Sequence, residues 1–100
     1  MSAKSWHVYL IQCGDQSLYT GIATDVQRRF SEHESQGRLC ARYLRGRTPL
    51  QLMYSCEVAD RATALKLEYR VKQLTKREKV RLIQGELNLY DLLRQESVAS

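Results

Sequence analysis

Trp6-His7-Val8-Tyr9-Leu10-Ile11, then Cys13-Gly14-Asp15-Gln16, then Ser17-Leu18-Tyr19-Thr20-Gly21-Ile22-Ala23: this stretch decides how the rest of the chain is read. Both outer runs are rich in β-branched and aromatic residues, which suit a pleated, half-buried surface. The residues between them are turn formers, so the segment predicts a β-hairpin. Thr24 and Gln27 then stand at capping-box spacing and start a helix near Asp25. Val26 and Phe30 give that helix an apolar anchor, and Gly37 stops it. The hairpin carries a tyrosine on each strand, and the helix sets Arg29 and His33 one turn apart on a shared face.

Downstream, residues 38–48 are polar and basic and read as loop. Pro49 to Val58 predicts a third strand, with Leu50, Leu52 and Tyr54 alternating against Gln51, Met53 and Ser55. Asp60 caps a helix over residues 61–74, whose Ala64, Leu67, Val71 and Leu74 follow helical spacing and face the core. Thr75 and Glu78 form another capping box for a helix running towards Gly85, and Asn88 to Gln95 make a last short one. The expected fold is α+β, a small three-stranded antiparallel sheet flanked by helices. One domain spans residues 1–100, with a core over about 5–80, a helical extension over 81–95 and a frayed tail at 96–100.

Composition narrows the class. With one Pro and five Gly, nothing marks a linker. No stretch approaches the roughly 18 apolar residues of a membrane span. Met1 to Lys4 lack the apolar core of a signal peptide, so the expectation is a cytoplasmic protein, monomeric or weakly dimeric. Cys13, Cys40 and Cys56 form no CxxC pair, and with two histidines no zinc pattern closes; reduced thiols are expected. The net charge is +5, and the cations are bunched. Arg38, Arg42, Arg45 and Arg47 lie in one stretch, and Lys72, Lys76, Arg77, Lys79 and Arg81 in another. Such a surface attracts a polyanion, DNA first among them; an ordinary basic surface is the plainer reading.

Several residues carry candidate chemistry. Tyr9 and Tyr19 meet across a hairpin if they share a face, although tyrosine is common packing in strands. A phenol has a pKa near 10 and acts as a base only where cations or a metal stabilise its phenolate. Gly21 marks either a bulge or a close approach, such as a phosphate near the following helix N-terminus. Arg29 points along the body of the protein, where a planar cation suits phosphoryl charge, while Arg28 turns to solvent. Glu68 falls beside the apolar stripe of its helix and needs a partner: Lys72 at i,i+4, or a Mg²⁺ or Mn²⁺ ion that prefers oxygen ligands.

This layout resembles the GIY-YIG nuclease superfamily. The first motif stands as His7-Val8-Tyr9 and the second as Tyr19-Thr20-Gly21; Arg29 follows the motif glycine by eight residues and His33 comes four later. The stretch Glu68-Tyr69-Arg70-Val71-Lys72-Gln73-Leu74-Thr75-Lys76-Arg77 is similar to the YhbQ-like single-domain bacterial subfamily. The first motif lacks its glycine, Thr20 replaces an isoleucine, and Ile22 stands where excision-repair relatives carry a lysine. Asn88 is the one late candidate for an asparagine that several relatives have, and no separate DNA-recognition domain is evident.

The resemblance implies metal-dependent DNA cleavage, structure-selective and serving repair or recombination. Glu68 would hold one divalent ion, absent without nucleic acid. Tyr9 or Tyr19 would act as base, Arg29 would stabilise phosphoryl charge, and His33 would orient water or a tyrosine. Gly21, Arg28, Arg38, Arg42, Arg45, Arg47, Lys72, Lys76 and Arg77 would contact the nucleic acid. Two other classes stay open: a non-cleaving nucleic-acid-binding module of the same fold, and a protein adaptor using the face around Tyr43 and Tyr54.

Overall fold

A computed structural model describes residues 5–98, with side chains as far as Arg94. Strand β1 (Trp6–Gln12) turns at Gly14 and Asp15 into β2 (Leu18–Ala23), and helix α1 (Val26–Glu34) follows. A single 3-10 turn (Arg42–Leu44) interrupts the basic loop. Next come β3 (Gln51–Val58), α2 (Arg61–Lys72), α3 (Lys76–Ile83) and α4 (Asp91–Val98). The sheet is antiparallel in the order β2-β1-β3, so the fold is the expected α+β arrangement.

Alternation along β1 divides the core in two. Val8 and Leu10 face Ala64, Leu67 and Val71 of α2, with Leu82, Leu89 and Leu92 behind them. Tyr9 and Ile11 face the other way, onto Val26 of α1 and onto Cys40 and Leu44 of the loop. Helices α2 to α4 therefore cover one side of the sheet, and α1 with the basic loop covers the other.

Local signals set most boundaries. Asp60 accepts from Thr63 N at 2.8 Å, and Thr75 and Glu78 exchange both bonds of a capping box. At α1 the cap is Asp25, whose carboxylate accepts from Arg28 N at 3.1 Å, rather than Thr24. The last helix begins at Asp91, because Asn88 is spent on a turn and accepts from Tyr90 N at 2.8 Å. It reaches Val98, beyond the expected end at Gln95; residues 99 and 100 of the expected tail lie outside the described residues.

The third strand departs from simple alternation. Leu10 pairs with Tyr54, but Ile11 pairs with Leu52, leaving Met53 as an extra residue. This bulge flips the parity. Leu50 and Leu52 pack on the α1 side, while Tyr54 and Cys56 pack on the α2 side.

Candidate active site

The hairpin register builds the first half of the site. Tyr9 lies opposite Gly21 and Ile11 opposite Tyr19, so both tyrosines face α1, with ring centroids 6.4 Å apart. Tyr9 is 2 % exposed, whereas Tyr19 is only half-buried. Strand pairing runs through Gly21 without a shift, so no bulge explains the glycine. The group that approaches it closely is the Tyr9 phenol: a Cβ at Gly21 would stand 2.4 Å from Tyr9 Oη. Gly21→Ala is therefore expected to cost about 1–3 kcal/mol of stability, read as a lower urea midpoint, by forcing the ring out of place. An unchanged midpoint would contradict this account.

Helix α1 supplies His33, which is fully buried under the two tyrosines. Its Nδ1 accepts from the Ala41 backbone N–H at 3.2 Å, so the ring proton sits on Nε2 and donates to Tyr9 Oη at 3.0 Å. Burial, with help from the Arg29 charge, lowers the His33 pKa from 6.5 to about 4. The ring is neutral at physiological pH and holds Tyr9 rather than carrying protons.

A pH dependence follows. Unfolded His33 takes up a proton near pH 6.5 but folded His33 only near 4, so its contribution is complete above 6.5 and is lost as pH falls towards 4. We expect this to remove about 3 kcal/mol across that window, seen as falling urea midpoints while the His33 ring resonances stay constant from pH 8 to about 5.5. A His33 ring titrating near 6.5 would refute it.

Arg29 stands beside this pair. Its Nη1 donates to Glu32 Oε1 at 2.9 Å and to the Leu39 carbonyl at 2.6 Å, tying α1 to the basic loop. Burial opposes its charge, yet the Glu32 hydrogen bond and the nearby phenols hold its pKa above the usual arginine value. Burial raises both phenols, Tyr9 the more strongly, while the Arg29 charge pulls each back down. Glu68 pushes both phenols upward as well. A carboxylate from α2 therefore acts on the two tyrosines, although α2 covers the side of the sheet opposite the one they face. Its side chain is 20 % exposed and lies 3.5 Å from Lys72 Nζ.

No group of three or more His, Cys, Asp or Glu gathers as a metal cage among the described residues. The donor set still suits magnesium or manganese, which bind through one or two carboxylates and complete their shell with water and phosphate oxygens.

The expected nucleic-acid contacts divide by what they already hold. Arg28 is exposed and pairs with Glu32 at 3.5 Å, and Lys72 is taken by Glu68. Arg45 Nη2 donates to the Gly37 carbonyl at 2.9 Å, and Arg47 pairs with Asp15 while lying 4.3 Å from the Tyr43 ring centre. Arg38, Arg42, Lys76 and Arg77 are exposed and, among the described residues, make no side-chain hydrogen bond or ion pair. The two basic stretches lie on opposite sides of the sheet: residues 38–47 beside α1, and Lys76 with Arg77 at the start of α3.

Two contributors escaped sequence reading. Gln36, at φ 58°, donates to the His33 carbonyl at 3.0 Å and the Leu44 carbonyl at 3.2 Å, and accepts from Gly46 N at 2.8 Å. It shapes the loop that supplies Ala41 to His33, and a glutamine in a polar stretch gives no warning of this. Tyr43, singled out in the sequence only for a protein-contact face, is the second: its ring stacks on Tyr19 with centroids 5.8 Å apart and planes at 27°.

Comparisons with known proteins place the chain in a family. The GIY-YIG catalytic domain matches residues 5–81. A UPF0213 protein of Klebsiella pneumoniae is 58% identical over 81 residues, covering 81% of this chain and 74% of its own. One from Yersinia pestis is 52% identical over 83 residues, covering 83% and 85%. The solution structure of UPF0213 protein BH0048 from Bacillus halodurans is similar at a TM-score of 0.52 and 36% identity, covering 89% and 93% of the two chains. That of protein EF2693 from E. faecalis reaches 0.57 at 30% identity, covering 87% and 92%.

Proposed function

The chain belongs to the GIY-YIG nuclease family, and on that premise we propose that it is a metal-dependent DNA endonuclease, structure-selective and serving repair or recombination. The observation that carries the reading is the meeting of Tyr9, Tyr19, Arg29 and His33 with the charge of Glu68. Each acts as follows. Tyr19 is the half-buried phenol, and its hydroxyl makes no hydrogen bond among the described residues; as the phenolate, with its own proton first released to solvent, it would take a proton from an attacking water. Arg29 stabilises its phenolate and meets charge on the phosphoryl oxygens. Tyr9 accepts from His33 Nε2, which leaves its own O–H proton to donate outward. Glu68 would hold one Mg²⁺ or Mn²⁺ ion, which when bound supplies neutralising charge at a phosphate oxygen and at the leaving group. Lys72 turns from Glu68 to the nucleic-acid backbone. Three free cysteines suit a reducing, cytoplasmic setting, and a monomer or weak dimer suffices for this site.

The Glu68–Lys72 ion pair and the raised phenols also suit a second reading, a nucleic-acid-binding module that does not cut. Incubation of pure protein with labelled duplex, single-stranded, nicked, flap and branched DNA, with and without Mg²⁺ or Mn²⁺, separates the two. Cuts that need the metal support the nuclease. DNA bound with a steep salt dependence and never cut supports the module.

A further inference from the structure

Tyr19 is held by rings alone. Its hydroxyl has no hydrogen-bond partner among the described residues, its strand is an edge of the sheet, and its ring is half-exposed. One side meets the His33 ring edge-on at 5.7 Å, and the stacking partner is Tyr43. Tyr43 is itself clamped. The Arg47 guanidinium lies 4.3 Å from its ring centre, and Arg47 is fixed in turn by Asp15. Asp15 belongs to the turn that leads into β2, where Ser17 donates to it through N at 3.0 Å and Oγ at 2.6 Å. The Gly14 N–H also donates to the Arg47 carbonyl at 2.6 Å. The clamp therefore starts and ends on the strand that carries Tyr19.

We propose that Tyr43 is a positioning residue for Tyr19, pressed against it by the Arg47–Asp15 pair, so that the basic loop sets the aim of the catalytic phenol. Of the four loop arginines, Arg47 then serves the site from within, while Arg38 and Arg42, unpaired among the described residues, remain for phosphates. Aromatic stacking fixes the plane of a ring without using its hydroxyl, which suits a group that must keep its oxygen free for water. A small error of aim at a reacting atom lowers rate far more than affinity.

This inference rests on the nuclease reading, and one experiment separates the two failures. Cleavage kinetics with Mg²⁺ are measured for the wild type, Tyr43→Ala, Tyr43→Phe and Arg47→Gln, together with NMR spectra of the Tyr19 ring. Tyr43→Ala should lower kcat about 10- to 100-fold with KM little changed. It should also remove the ring-current shift on Tyr19. Tyr43→Phe should restore both, since the Tyr43 hydroxyl takes no part, and Arg47→Gln should fall between. If Tyr43→Ala fails to fold, Arg47→Gln carries the same prediction with the ring retained. An unchanged kcat, or a raised KM at unchanged kcat, overturns the inference and leaves the nuclease standing. A wild type that cuts nothing overturns both.

Discussion

Glu68→Ala is expected to lower DNA cleavage by about 1,000-fold or more while leaving DNA binding nearly unchanged. The size follows from the poverty of the site in carboxylates. Among the described residues no group of three or more His, Cys, Asp or Glu gathers that could hold the ion in its place. The variant should fold, because an i,i+4 pair with an exposed partner, such as Glu68–Lys72, contributes about 1 kcal/mol or less. Glu68→Gln keeps the volume and removes only the charge, so it should be as inactive as the alanine variant. Gel-shift affinity should hold or tighten, since a negative charge near the phosphates is gone and Lys72 is released. Metal-dependent cutting that survives in both variants would show that the ion is held elsewhere.

Tyr19→Phe should reduce cleavage about 100- to 10,000-fold with no loss of stability. Only one oxygen is removed, and that oxygen makes no hydrogen bond among the described residues. Tyr9→Phe is the informative contrast. There the lost oxygen is the acceptor for the buried His33 Nε2–H, so the variant should lose about 1–3 kcal/mol of stability as well as activity. Paired urea titrations and single-turnover rates on both variants check the assignment. If Tyr19→Phe cuts normally and Tyr9→Phe does not, the base is Tyr9.

What the sequence disclosed was what short-range chemistry encodes. Asp60, and Thr75 with Glu78, announce helix starts because a cap reaches only a few residues along the chain. Tyr9, Tyr19, Arg29, His33 and Glu68 were legible as residue types at suggestive spacings; in the fold the first four gather on the α1 side of the sheet, and Glu68 acts on the phenols through its charge. Long-range pairings were not legible. The parity change at Met53 depends on which β1 residue each β3 residue meets, so Leu50 and Tyr54 read as one face when they occupy two. Arg45 and Arg47 read as surface charge because nothing local reveals a bond to the Gly37 carbonyl or to Asp15. Of the bulge and the close approach left open for Gly21, the fold has a close approach, by Tyr9, a contact that exists only once the hairpin has closed.

That contact also guards against misfolding. A hairpin that slips by two residues keeps its inside–outside alternation, so the hydrophobic pattern alone does little to forbid it. Such a slip would bring Tyr19 or Ala23 opposite Tyr9 in place of Gly21. Either side chain begins with a Cβ in the space the phenol fills. Gly21 thus works as a key that admits one register, and the alignment it admits is the one that sets the two phenols side by side.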